Sequence, residues 1–178
     1  IGRQITNMLC NHSAFVHVVS LDRINVDQRA VHTHGDLTSF DFCKDISKDI
    51  DSVFHLAGIK GSIEVSKKQP ASHFVPTLMM NTNILEAARL NNVQNLVYTS
   101  SIGAYPDLGV LDESIKYDSP PMDFAGWAKR MGEHQIQAYR VQYDVNYSVV
   151  RLSNVFGPGD NFDPNNAMVV PSLISRIY

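Results

Sequence analysis

Cysteine is scarce: only Cys10 and Cys43 occur in 178 residues. Two are too few for a disulfide framework, and they lack metal-ligand spacing, so both read as buried or idle thiols of a reducing compartment. Long apolar runs are missing too. No stretch approaches the roughly 20 apolar residues that cross a bilayer, and no signal peptide is visible. The chain therefore reads as cytoplasmic, with no membrane-spanning helix. A basic block is also absent. Fifteen Lys and Arg against 18 Asp and Glu leave a formal charge of −3, which indicates neither a nucleic-acid nor an anionic-membrane surface. What is present, 44% hydrophobic and 19% charged residues, is the composition of an ordinary globular α/β domain. The length suits one domain and the beginning of a second. The chain opens at Ile1 without a methionine and ends at Tyr178 inside an apolar segment. We read it as a piece of a longer protein.

Strand-length runs rich in Val, Phe and Tyr lie at Ala14–Leu21, Val31–His34, Asp51–Leu56, Val93–Ser100 and Tyr147–Leu152. The more apolar of them suit a sheet buried on both faces. Helical spacing occurs between them: Ile5, Met8 and Leu9 at the start, then Pro76–Leu90, with Pro76 suited to a first turn. Asp123–Tyr143 follows, capped by Asp123 and supported by Lys129 and Glu133 at i,i+4. Strands alternating with helices mean βαβ units and a parallel sheet with right-handed crossovers. The stretch from Ile102 to Met122, rich in proline and glycine, reads as a long loop of the functional kind.

Several short segments fall in a telling order: GDL at Gly35–Leu37, HLAG at His55–Gly58, SSIGAYP from Ser100, FAGWAKRMGE from Phe124, and RLSNVFGPGDNFDPNNAMVVPSLI from Arg151. Together they resemble the extended short-chain dehydrogenases/reductases of the NAD-dependent epimerase/dehydratase group, over nearly the whole chain. The C-terminal stretch is the cue to a GDP-fucose-synthase-like branch. The resemblance implies a Rossmann-type, doubly wound parallel sheet. Residues 1–160 would form an NAD-binding domain lacking its first strand, and 161–178 the start of a substrate-binding region. That first strand would lie between the strands at Ala14 and Asp51, so these two should not be hydrogen-bonded neighbours.

It also implies roles for residues. Gly2 would be the last glycine of the pyrophosphate-binding turn. Asp22, after its strand, would accept from the adenosine ribose hydroxyls and repel a 2′-phosphate, favouring NAD over NADP, although Arg23 beside it could accommodate that phosphate. Asp36 and Leu37 would meet the adenine, with a turn or cap as the plainer reading of Asp36. Leu56, Ala57 and Gly58 would let the backbone approach the cofactor. Lys60 either reaches phosphate or substrate or is solvated. His55 reads as a satisfied core histidine, and Trp127 and Met131 as core or helix-interface residues. Either Asn81 or Asn83 would hold backbone geometry near the site. Thr99 and Ser100 would line the nicotinamide side, Asn154 and Val155 would meet the nicotinamide amide and the sugar, and Asn161 the substrate. Arg151 reads as structural.

The family's catalytic trio is a Ser/Thr, a Tyr and a Lys. Ser101 fits the first role, at the end of a parallel strand, and would also touch substrate. Lys129 fits the last and would bind the nicotinamide ribose. The tyrosine belongs four positions earlier, and position 125 is alanine. Three readings stand: a replaced tyrosine, a branch using another acid or base, or a non-catalytic relative. Tyr105 and Tyr117 are the phenols at hand. Gly103 and Met168 stand where GDP-fucose synthases carry the cysteine and histidine of their double epimerisation, which argues against that enzyme itself. The expected function is NAD-dependent epimerisation or dehydration of a nucleotide sugar. A reductase of the same family, or an NAD-binding module without chemistry, are the alternatives. A homodimer through a four-helix bundle is expected, with no metal.

Overall fold

The structure is a computed structural model, and it describes residues 1–12, 15–22, 24–59, 68–109, 111–112, 114, 119–163 and 167–177. The elements run α1 (Gly2–Asn11), β1 (His17–Ser20), β2 (Val31–His34), α2 (Phe40–Ile46), β3 (Ser52–His55), α3 (Pro70–Leu90) and β4 (Asn95–Ser101). A 3-10 turn (Ile102–Ala104), α4 (Phe124–Tyr143), β5 (Asn146–Leu152) and α5 (Val169–Ile177) complete the order. Among the described residues, every pairing between these strands is parallel. β1 pairs with β2, and β3, β4 and β5 form a second sheet in that order. β1 and β3 are not paired, as the resemblance requires. The chain is an α/β protein of parallel sheets.

The core lies between the β3–β5 sheet and the helices α3 and α4. Leu96 and Tyr98 of β4 and Tyr147 of β5 meet Leu85 and Ala88 of α3 and Ile136 of α4. Period-two alternation in β4 sends Leu96, Tyr98 and Ser100 into this layer. The opposite face stays open: Phe54 and Val150 are exposed. Burial on both faces therefore does not hold among the described residues, because both long helices lie on one side. They run side by side and parallel. Gln135 donates to Thr82 at 2.7 Å and Tyr139 to Glu86 at 2.6 Å, while Arg89 sits 4.6 Å from the Tyr143 ring centroid.

Pro76 does not open its helix. α3 begins at Pro70 and carries Pro76 in its interior, where proline removes one helical hydrogen bond. The buried stripe His73, Thr77, Met80, Asn81, Ile84, Leu85 and Ala88 continues through it at helical spacing. Packing of that stripe offsets the lost bond. Asp123 does cap α4, its carboxylate accepting from Gly126 N–H at 2.7 Å. Lys129 and Glu133 do not pair as expected, since each takes a different partner in the sheet. Trp127 and Met131 are exposed rather than core.

Candidate active site

In an open parallel sheet, ligand sites form beyond the carboxyl ends of the strands, and the residues singled out in the sequence gather there. Lys129 leaves α4 and donates to the Thr99 carbonyl at 2.8 Å and, more weakly, to the Ala57 carbonyl at 3.5 Å. It thus ties α4 to the ends of both β3 and β4. Burial pushes its ammonium down to about 8. Ala125 sits one helical turn before it, half-buried. Ser101 ends β4, and its hydroxyl accepts from Gly103 N–H at 3.2 Å.

The first turn of α4 lies against the 3-10 turn that follows Ser101. A Cβ on Gly126 would stand 1.9 Å from the Gly103 carbonyl oxygen, so only glycine permits this approach. Gly103 in turn has Ser101 Oγ on one side and Gly126 Cα on the other, 3.7 and 3.6 Å from its own Cβ position. Ser101, Ala125 and Lys129 therefore belong to one neighbourhood. Arg130, buried, donates to the Ala104 and Ser119 carbonyls and so joins these two points of the chain to α4.

Two polar networks lie behind this neighbourhood. In the first, Asn81 accepts from the His55 ring at 2.9 Å and donates to the Tyr98 hydroxyl at 3.0 Å and the Ala128 carbonyl at 3.2 Å. It joins β3, β4 and α4 at one fully buried point, whereas Asn83 serves the Leu37 and Thr38 carbonyls. The sequence left the choice between them open. Asn81 shares the i,i+4 stripe of Thr77 and Leu85, a signal that could have decided it. His55 is the satisfied core histidine expected: burial pushes it down to about 4, against the opposing Asn81 bond. Burial likewise raises the Tyr98 phenol above its ordinary range.

The second network was not foreseen. Glu133, one turn after Lys129, receives the Ser100 hydroxyl and two guanidinium bonds from Arg151 at 2.9 and 2.7 Å. Arg151 also lies over the Tyr105 ring, 4.5 Å from its centroid. Ser100 and Arg151 are register partners on β4 and β5, so one carboxylate holds both strands to α4. Ser100, read from the sequence as lining the nicotinamide side, turns its hydroxyl into this buried layer instead.

The remaining residues form a rim. Gly2 opens α1 against the end of β3, its Cβ position 3.3 Å from Leu56 Cδ1. Asp22 is exposed just after β1, its carbonyl accepting from Ser20 Oγ at 2.6 Å. Asp36 caps the next turn, accepting from Thr38 N–H at 2.8 Å, and the Leu37 carbonyl accepts from Asn83. Gly58 is exposed beside Lys129, with 3.4 Å between its Cβ position and Nζ. Thr99 uses its hydroxyl on the His55 carbonyl at 3.0 Å. Asn154 and Val155 are exposed after β5, and Asn161 turns the chain by accepting from Asp163 N–H at 3.0 Å. Arg23, Lys60 and Tyr117 lie outside the described residues. Among the described residues no cluster of three metal-ligating side chains occurs, and no helix is long and apolar enough to cross a membrane.

A nicotinamide dinucleotide fits this set. Small residues end β3, a carboxylate follows β1, and a lysine without a carboxylate partner among the described residues stands at the centre. Comparison with known proteins agrees. The family model "NAD dependent epimerase/dehydratase family" matches residues 1–178. GDP-L-fucose synthase of Escherichia coli (strain K12) is 31% identical over 166 residues, 88% of this chain and 48% of that protein. Among solved structures, a Thermus thermophilus UDP-glucose 4-epimerase complex with NAD aligns at TM-score 0.78 and 25% identity, covering 92% of this chain and 54% of that one. A UDP-N-acetylglucosamine 4-epimerase from Methanobrevibacter ruminantium M1 aligns at 0.85 and 24%, covering 99% and 58%. The chain spans about half the length of the curated relatives it matches. It belongs to the NAD-dependent epimerase/dehydratase family.

Proposed function

We propose that the whole protein is a cytoplasmic, NAD-dependent epimerase or dehydratase of a nucleotide sugar. The carrying observation is the convergence of Ser101, Lys129, Gly58 and the first turn of α4 at the strand ends, within a chain of this family. When bound, the nicotinamide would take hydride from one sugar carbon and later return it. Gly2, Leu56, Ala57 and Gly58 would admit the dinucleotide, Asp22 its adenosine ribose, and Asp36 and Leu37 its adenine. Lys129, with Thr99, Asn154 and Val155, would hold the nicotinamide half. Ser101 would donate a hydrogen bond to the reacting sugar oxygen, while Asn154 and Asn161 would meet the sugar nucleotide. Residues 1–160 would serve the cofactor, and 161–178 would begin the substrate-binding region.

One assay tests this. The full-length protein, supplied with NAD and a panel of nucleotide sugars, should convert one of them with no net change in nicotinamide absorbance. Stoichiometric consumption of reduced cofactor would instead identify a reductase. With Asp22 facing the ribose, NADP should support less turnover than NAD. Equal use of both would remove the preference.

A homodimer built on α3 and α4 is part of the same reading. Val75 and Met79 of α3 and Trp127 and Met131 of α4 are exposed, apolar surface that a second pair of helices could cover. Sedimentation of the intact protein as a dimer is expected, and a strict monomer would remove the idea.

A further inference from the structure

We propose that His32 is a positioning residue for the adenosine end of the cofactor: as a neutral imidazole it anchors the loop that follows Asp22, and loss of its lone pair in acid loosens the grip on NAD. The inference rests on the functional reading above, and it concerns the cofactor rather than the sugar.

The loop between β1 and β2 leaves the sheet just before Asp22, and one face of that two-stranded sheet holds its first half. The register sets Val18 opposite His32 and Ser20 opposite His34, and strand alternation puts these side chains on the same face. Ser20 donates its hydroxyl to the Asp22 carbonyl at 2.6 Å, and that carbonyl also accepts from Ile24 N–H at 2.9 Å. Two residues on, Val26 N–H donates to His32 Nε2 at 3.0 Å. The second half of the loop is fixed differently. Asp27 is bonded by Arg29 and Asn7, and Arg29 by Asn11, so this half rides on α1, the helix that Gly2 opens. Among the described residues, His32 supplies the one hydrogen bond between residues 24–26 and a strand.

A backbone N–H can only donate, so Nε2 presents its lone pair and the ring proton sits on Nδ1. A doubly protonated ring would set an N–H against the Val26 N–H, so the bond and the charge exclude each other. The titratable groups nearby leave His32 this role. On β1, His17 is bonded to the Thr33 hydroxyl at 2.8 Å, and burial, then repulsion from His32, holds it below its ordinary value. On β2, His34 is exposed at the strand end. In the loop, the Asp27 carboxylate is occupied by Arg29, while Asp22 is exposed. From α1, Asn7 and Asn11 face the loop, with Cys10 near the Arg29 guanidinium.

Without the Val26 bond, the turn at Asp22 keeps only Ser20 as its tie to the sheet. The residue that would accept from the ribose must then be ordered as the cofactor binds, and affinity carries that entropy cost. The anchored form is the neutral one. Binding should therefore be tightest in mild alkali and weaken as pH falls.

The test uses the full-length protein, titrated with NAD in a calorimeter between about pH 8 and about pH 5, where a histidine can change charge. The Kd for NAD should rise by roughly 5-fold on acidification, the scale of one hydrogen bond. His32→Gln places an uncharged acceptor oxygen near the position of Nε2. It should retain tight binding at the upper pH and stay flat on acidification. His32→Leu should bind roughly 5-fold more weakly even at the upper pH. A flat profile in the unaltered protein, an unchanged slope in His32→Gln, or undiminished affinity in His32→Leu overturns the proposal. Amide exchange gives a readout that needs no ligand. Val26 should be protected in the unaltered protein and in His32→Gln and open in His32→Leu, and equal exchange in all three overturns the anchor. If NAD binds with the expected pH dependence while no nucleotide sugar is converted, the sugar reading falls and the role of His32 stands. Conversion with a flat binding profile leaves the function and removes this assignment. Failure to bind NAD at any pH overturns both.

Discussion

Installing tyrosine at position 125 is expected to raise turnover of the full-length protein by roughly 10²–10⁴-fold, the scale of a positioned general acid or base. Residues four apart on a helix share a face, so a phenol at 125 would stand over Lys129 and beside the turn that carries Ser101. The alanine there is half-buried, and the gain depends on room for the ring between Gly58, Ser101 and the substrate. A phenol near the Lys129 ammonium would be stabilised as phenolate. The pH–rate profile of Ala125→Tyr should then shift as well as its height. Comparison of kcat and of the profile for the two proteins measures both. If Ala125→Tyr leaves turnover unchanged or abolishes it, the site was not built around a phenol. Tyr105 is no substitute in either case, because Arg151 covers its ring.

The difference between what was legible in the sequence and what was not follows from the range of the interactions involved. Val31–His34 was read with its observed bounds, and the Asp123 cap and the end of α3 were also found. Apolar period and capping chemistry are local signals. Pro76 misled because the stripe that carries α3 through it packs against elements distant in sequence. The short helix α2 was missed: its seven residues are too few for periodicity to show. At the site, motif order was enough to select Ser101, Ala125 and Lys129. The partners of Lys129 and Glu133 were not, because the i,i+4 rule sees one helix in isolation. In the folded chain, carbonyls at the strand ends bind Lys129 and the Arg151 guanidinium binds Glu133. Ser100 was misplaced for a related reason. It sits next to Ser101, but strand alternation sends it to the opposite face.

The buried pair that escaped the sequence reading carries the largest stability effect expected in this chain. Side-chain exposure is 19% for Arg151 and 4% for Glu133, so solvent screens the pair little, and salt should weaken it only slightly. Arg151→Met would leave the Glu133 carboxylate in the core without the guanidinium that bonds both its oxygens. Breaking such a pair typically costs about 3–5 kcal/mol, because one charge is left uncompensated. The double variant Glu133→Leu with Arg151→Met removes both charges and should lose much less than the single one. The cost would then lie in the buried carboxylate's charge more than in the lost attraction. Urea unfolding of the intact protein and both variants measures this. A loss within about 0.5 kcal/mol for Arg151→Met, the range of ordinary surface substitutions, would mean that water or another cation reaches Glu133. The site should respond together with stability. Glu133 holds the strand that ends in Ser101 one helical turn from the lysine that holds Thr99, so loosening it should disturb the serine at that strand's end and lower turnover.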